Sequence, residues 1–191
     1  MVAISVQAPH ALTVSDPAEL GALRAGEVLL QVERAGICGS DIHILHGSNP
    51  FARYPRVIGH EFAGRIEVLG PGVAGFRTGQ RVVVDPVAAC GHCYPCRIGR
   101  PNVCANLEVF GVHRDGGFRD RLTVPAVNCI AVPDDLSPEV AALAEPLSIA
   151  ANVLTRTGIS ADDTVLQVAK LHGARCTLAD IDPARLAIGF L

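Results

Sequence analysis

Four cysteines within fifteen residues constrain this chain more than any other feature. They stand at Cys90, Cys93, Cys96 and Cys104, a C-x2-C-x2-C-x7-C pattern. Thiolates spaced by two residues wrap one ion from a single loop, and four of them fill a zinc tetrahedron without leaving a place for water. Such a zinc is structural. It fixes a loop that has little apolar content of its own, with binding free energies of roughly 10–16 kcal/mol in small zinc modules. An iron–sulfur cluster is the competing occupant of four cysteines. The odd total of seven cysteines speaks against a disulfide framework. His92, inside the pattern, is expected to face solvent, because four thiolates already complete the shell.

Composition narrows the remaining classes. Hydrophobic residues make up 49% and charged residues 18% of the 191, so a core is easily buried. Aromatics are 4%, Trp is absent and the net charge is −3, with no basic block longer than two. Nucleic acid is therefore excluded as a partner class. The first nine residues lack the basic region of a signal peptide. The longest apolar stretch, residues 140–154, is broken by Glu145 and Pro146, which excludes a membrane span. A cytoplasmic, soluble protein with no membrane partner is expected.

The first 135 residues read as mostly β. Val28, Leu30 and Val32 alternate with Leu29, Gln31 and Glu33, the period of a half-buried strand. Further strands are expected over 57–69, 80–84, 118–124 and 129–132, punctuated by Gly and Pro. At Ser137 the character changes: Ser137 caps and Pro138 opens a helix that runs through Ala142 and continues past Pro146 to Leu154. Beyond Gly158 a strand at 164–166, a helical run at 167–172, a strand at 177–180 and a short helix capped by Asp182 follow. The fold class is mixed α/β: a barrel-like, mostly-β domain over 1–150, then a partial doubly wound segment over 151–191. Cys129 and Cys176 lie in apolar runs and read as packing residues.

A second constellation is dispersed. Cys38 sits in Gly36-Ile37-Cys38-Gly39-Ser40-Asp41-Ile42-His43, and His60-Glu61 follows Gly59. Residues 36–43, the Val-Ile-Gly-His-Glu-Phe-Ala-Gly through Gly-Pro-Gly stretch of 57–72, the four-cysteine lobe, Gly111 to Phe118 and Ala144-Glu145-Pro146-Leu147 together resemble the zinc-containing medium-chain dehydrogenases. The sorbitol, idonate and galactonate dehydrogenase branch is the most similar. The resemblance implies a GroES-like catalytic domain, a catalytic zinc held by Cys38, His60 and Glu145, and Glu61 as a nearby carboxylate able to approach the metal. It implies Ser40 and His43 as a proton relay, and Asp41 as the carboxylate that orients His60. Ser40 also reads as a helix cap for residues 41–46. Arg53, Tyr54 and Phe118 become candidate cleft residues, and an alcohol, polyol or sugar acid the small-molecule substrate, oxidised by hydride transfer to NAD. His10, His46, His113 and His172 carry no comparable spacing.

The resemblance stops at the cofactor. Dinucleotide sites need a strand, a Gly-rich turn and a helix whose N-terminus receives the pyrophosphate. Gly70-Pro71-Gly72-Val73-Ala74-Gly75 has the glycine spacing but leads into another strand, over 76–84, and reads as an ordinary turn. Where the family places its fingerprint, Thr164-Val165-Leu166 runs directly into Gln167-Val168-Ala169-Lys170. Asp180 still matches the acid that holds an adenosine ribose. Two other readings therefore stand beside the oxidoreductase: a catalytically inactive zinc-binding remnant or fragment, and a zinc-stabilised interaction module. The last leaves Cys38, His60 and Glu145 without purpose. A homo-oligomer is allowed, but pairing supplies no substitute for a turn each copy lacks.

Asp180 alone offers one or two hydrogen bonds of about 0.5–1.5 kcal/mol each, whereas micromolar affinity needs roughly −8 kcal/mol. The 191-residue chain is thus expected to bind NAD more weakly than about millimolar. Calorimetry that gave micromolar binding would overturn this.

Overall fold

A computed structural model describes residues 1–16 and 20–157 of the chain. The elements expected over 164–166, 167–172, 177–180 and after Asp182, together with Cys176 and Asp180, lie outside the described residues. The chain divides into two compact units, Met1–Glu145 and Pro146–Leu191. The first holds every described strand.

That unit is strand-rich and antiparallel. Strands β1 (Ala3–Ala8) and β2 (Ala11–Ser15) form a hairpin, followed by β3 (Glu27–Gly36), helix α1 (Gly39–Leu45), β4 (Arg56–Val57), β5 (Glu61–Leu69) and β6 (Arg81–Val84). Next come β7 (Val87–Ala88), the single-turn α2 (Tyr94–Arg97), β8 (Glu108–Val109), β9 (Arg121–Pro125) and β10 (Cys129–Ala131). Helices α3 (Pro138–Ala142) and α4 (Ala144–Thr157) close the described chain. The main sheet has the order β10-β6-β5-β3-β9, a second has β2-β1-β4, and β7 pairs with β8. No helix among the described residues is long and apolar enough to cross a membrane.

The expected alternation in β3 holds where it matters most. Val28 and Leu30 are completely buried and join Phe62, Ile66, Val82, Val84, Leu122 and Val124 in the main core. Phe62 and Phe110 meet edge to face there, with centroids 6.3 Å apart. Cys129 packs in the same core, as its apolar surroundings suggest.

Several expected elements differ. The 57–69 stretch is two strands, interrupted at residues 58–60. The carbonyls of Val57, Ile58 and Gly59 accept hydrogen bonds from the N–H groups of Gly116, Phe118 and Gly117 at 2.8, 3.0 and 2.8 Å, so this backbone pairs with a loop. Gly59 turns the chain at φ +95°, and a Cβ there would collide with the Phe118 ring. Because residues 116–118 are engaged in this way, the strand expected from 118 begins only at Arg121. The strand expected over 76–84 is confined to Arg81–Val84, while the glycines before it form the ordinary turn anticipated, with Gly72 and Gly75 at positive φ. The expected continuous helix over 137–154 is two helices. Ser137 does cap α3, its Oγ accepting from the Val140 N–H at 3.3 Å, but α3 ends at Ala142. Pro146 lacks an N–H and would strike the carbonyl four residues back, so it is accommodated only in the first turn of a new helix. The β1–β2 hairpin was not anticipated at all.

Antiparallel β3 and β5 pair from Val28↔Leu69 to Gly36↔Glu61, with register shifts between Leu29 and Leu30 and between Val32 and Arg34. The second shift leaves Glu33 as an extra residue, and its carboxylate is well used. Glu33 Oε2 accepts from Arg81 Nε at 2.7 Å and Oε1 from Arg65 Nε at 3.1 Å. Arg81 also donates to the carbonyls of Leu136 and Asp134, tying the sheet to the segment that leads into α3. The Arg81 hydrogen bond is the main cause that holds the Glu33 carboxyl below its ordinary range, outweighing burial.

A depressed carboxylate stabilises the fold above its unfolded pKa, and that contribution is lost as pH falls through the folded value. Glu33→Gln is expected to lower stability at pH 7, with the deficit shrinking toward zero in acid. Denaturant titrations of both proteins across pH 3–7 measure the gap; a gap independent of pH would remove Glu33 from this role.

Candidate metal centres

The four-cysteine lobe is built from α2 and the short turns on either side of it. Sγ of Cys90, Cys93, Cys96 and Cys104 lie within 4.8 Å of one another. Cys93 Sγ is 3.4 Å from Cys96 Sγ and 3.7 Å from Cys104 Sγ. A tetrahedron with zinc–sulfur bonds of about 2.3 Å has edges of about 3.8 Å, so the spacing fits one ion. A cluster of several irons with inorganic sulfides would hold its thiolates further apart, and the alternative occupant loses support.

The lobe's backbone also favours thiolates. The Cys90 and Asn106 N–H groups both donate to Cys104 Sγ at 3.3 Å, and the Cys93 N–H donates to Cys90 Sγ at 3.4 Å. Backbone hydrogen bonds, those of His92 and Cys93 foremost, bring the Cys90 thiol down to about 5. Cys93 is lowered mainly by the Cys96 backbone, whereas burial, followed by the Cys93 thiol, pushes Cys96 up to about 12. One cation shared by all four would remove the need for a proton on Cys96. His92 is exposed, as expected, with Nδ1 2.8 Å from the Cys90 carbonyl. Asn106 was not singled out in the sequence, and no spacing rule marks it.

The second constellation assembles where β3 ends and β5 begins. Cys38 follows β3 and caps α1 with extended backbone (φ −88°, ψ 153°). This corrects the expectation that Ser40 is the cap: α1 starts one residue before it, and Ser40 lies in the first turn. Asp41, 1% exposed, accepts from the Cys38 N–H at 2.9 Å and from the Gly59 N–H at 3.1 Å, so one carboxylate fastens both donor-bearing segments. His60 follows Gly59, and its Nδ1, buried without a hydrogen-bond partner, faces Asp41 Oδ1 at 3.7 Å. Its Nε2 is 3.5 Å from Ser40 Oγ. Glu61 stands opposite Gly36 in the β3–β5 ladder, where a Cβ on Gly36 would collide with the glutamate's Oε2.

Donor atoms of Cys38, His60 and Glu61 lie within 4.8 Å of one another. The resemblance names Glu145 with Cys38 and His60, and Glu61 as a nearby carboxylate able to approach the metal. Here Glu61 is the close carboxylate, because β5 fixes it directly after His60, while Glu145 is carried on the first turn of α4. Glu145 nonetheless shares the neighbourhood. Burial raises its pKa first, Glu61 and Asp85 add to the rise, and His60 opposes it. Asp85 had gone unnoticed in the sequence.

A half-buried thiol, an imidazole and a carboxylate, with a second carboxylate behind the imidazole, form a donor set that suits zinc. Ser40 touches this set through His60. His43 is exposed on α1, its Nδ1 3.1 Å from Ser48 Oγ, and no hydrogen bond joins it to Ser40 among the described residues. Of the candidate cleft residues, Arg53 and Phe118 line different cavities. Arg53 borders a space beside the cysteine lobe, Phe118 packs on Gly59, and Tyr54 donates to the Ile44 carbonyl at 2.5 Å.

Comparison with known proteins identifies the family. Residues 24–134 match the family described as the alcohol dehydrogenase GroES-like domain. The chain is 51% identical over 166 residues to the starvation-sensing protein RspB of Escherichia coli K12, covering 87% of this chain and 49% of that protein. It is 42% identical over 171 residues to L-galactonate-5-dehydrogenase of the same organism, covering 83% and 50%. Among solved structures, a short chain alcohol dehydrogenase (RspB) from E. coli CFT073 complexed with NADH superposes with a TM-score of 0.78 at 49% identity, covering 87% of this chain and 48% of that one. The chain thus spans about half the length of the relatives it matches.

Cys96→Ser is expected to weaken metal binding in the lobe by more than about 100-fold, since even supporting groups around metal ligands typically contribute 10–100-fold. Hydrogen exchange should then accelerate across residues 90–106 while the β3–β5 core stays protected. Equal acceleration in both regions would show that the lobe is not a separate metal-dependent element.

Proposed function

Because the chain belongs to the alcohol dehydrogenase GroES-like domain family, we propose that residues 1–150 form the zinc-binding catalytic domain of a zinc-dependent alcohol, polyol or sugar-acid dehydrogenase. Residues 151–191 would open its nucleotide-binding domain. The observation that carries this reading is the convergence of Cys38, His60 and Glu61 within 4.8 Å, beside the buried Asp41. In this reading Cys38, His60 and Glu145 hold the catalytic ion, with Glu61 able to exchange for Glu145. Cys90, Cys93, Cys96 and Cys104 hold the structural one. When bound, the catalytic zinc supplies Lewis-acid polarisation of an alcohol oxygen, and a nicotinamide supplies the hydride acceptor.

The protein's own part is orientation and proton handling. Asp41 faces Nδ1 of His60, which leaves Nε2 as the nitrogen that serves the metal. Ser40, 3.5 Å from that nitrogen, is placed to take the substrate hydroxyl proton. His43, exposed one turn further along α1, would pass it to solvent. The NADH held by the RspB structure supports NAD as the cofactor. The L-galactonate-5-dehydrogenase relative supports a polyol or sugar acid as substrate.

Cobalt substitution tests the assignment without requiring turnover. Two cobalt ions per chain are expected, and Cys38→Ser should remove one set of visible bands while the four-thiolate set persists. Sorbitol or galactonate should perturb only the bands that Cys38→Ser removes. One ion per chain, with a spectrum indifferent to Cys38→Ser, would refute the catalytic site.

A further inference from the structure

A cleft of about 330 Å³ lies away from both metal centres, between the β1–β2 hairpin and the 115–119 loop. The hairpin explains one wall. Ala3, Ser5 and Gln7 alternate along one face of β1, and Ser15 stands opposite Ala3, so this face is polar, while Val6 points into a core. Ser5 is 6% exposed, with its hydroxyl 2.7 Å from Gln7 Nε2. The other wall is cationic. Arg56, on β4, and Arg119 flank Asp115, whose Oδ1 accepts from Arg56 Nη1 at 2.8 Å and from the Val57 N–H at 3.3 Å.

Arg119 is the anomaly. Its side chain is 7% exposed, yet among the described residues its closest carboxylate oxygen, Asp115 Oδ2, is 3.7 Å from Nη1, beyond hydrogen-bond reach. Nε of Arg119 and Nε of Arg56 are both buried without a hydrogen-bond partner. A guanidinium offers five donors and cannot lose its charge, and a buried charge is normally paired and hydrogen-bonded. Among the described residues, two guanidiniums face one carboxylate, a surplus of one positive charge in a cleft walled by hydroxyls.

We propose that this cleft binds a phosphate group, free or carried on a small ester, across Arg56 and Arg119. Planar guanidinium forks match phosphate oxygens bidentately. The hairpin hydroxyls can serve the remaining oxygens as donors. The cleft is roomier than a bare phosphate needs, which allows a substituent. Asp115 is the opposing charge that limits affinity.

The test is titration of the zinc-loaded chain with inorganic phosphate and with glycerol 3-phosphate, followed by calorimetry at constant ionic strength. One saturable site per chain is expected. Arg119→Met should weaken it at least about tenfold. Asp115→Asn keeps the acceptor for Arg56 but removes the negative charge, and should tighten binding about threefold. A folding defect cannot mimic that gain, so Asp115→Asn decides the matter if Arg119→Met is unstable. Tighter binding of the ester than of inorganic phosphate supports a site with room for a substituent, and equal binding supports one that reads the phosphate alone. Absence of saturable binding, affinity unchanged in Arg119→Met, or binding that disappears in Cys38→Ser and so belongs to the metal centre, would each overturn the proposal.

Discussion

One buried carboxylate holds the candidate catalytic centre together. Asp41 takes the N–H of Cys38 with one oxygen and that of Gly59 with the other. These groups belong to segments that approach from different parts of the chain, the end of β3 and the link between β4 and β5. Without an acceptor between them, the buried Gly59 donor would be left unsatisfied, at a cost of about 1–3 kcal/mol, and the half-buried Cys38 donor would lose its cap. The same side chain faces the His60 ring. Helix capping, chain juxtaposition and imidazole orientation therefore depend on a single group, and the local fold cannot be separated from the local chemistry.

The glycines around this point complete the constraint. Gly59, Gly111 and Gly116 pack backbone against backbone, so that a Cβ on Gly111 or Gly116 would run into the Gly59 peptide. This is how the 116–118 loop comes near enough to claim the carbonyls of residues 57–59. His60 is carried on a segment gripped from one side by hydrogen bonds and from the other by Asp41.

What could be read from the sequence follows from how local each signal is. The cysteine lobe was legible because its ligands come from one short loop and their spacing alone encodes a tetrahedron. Burial of Val28 and Leu30 was legible because alternation is a two-residue pattern. The break at residues 58–60 was not, since it is imposed by a loop almost sixty positions later. The nearness of Glu61 to Cys38 and His60 had the same cause: strand register sets Glu61 directly after His60 and opposite Gly36. The division at Leu143 could have been foreseen, because Pro146 forbids a continuous helix on covalent grounds alone. Arg56 and Arg119 carried no pattern, as their shared surplus of charge exists only once β4 lies beside the 115–119 loop.

The irregular pairing of β3 with β5 has a consequence for how this family of sequences can change length. Val28 pairs with Leu69, and eight residues later Gly36 pairs with Glu61, eight residues earlier, as if the ladder were unbroken. Yet Glu67 is skipped on one strand and Glu33 on the other, and the two slips cancel. Each inserted residue is a glutamate anchored by arginine, Glu33 by Arg65 and Arg81, Glu67 by Arg121. Because each glutamate is the residue left out of the pairing, losing either one would close its bulge and leave Gly36 opposite Glu61, at the expense of the arginine anchor alone. These two positions are therefore where the strands can change length by one residue while the far end of the ladder stays where it began.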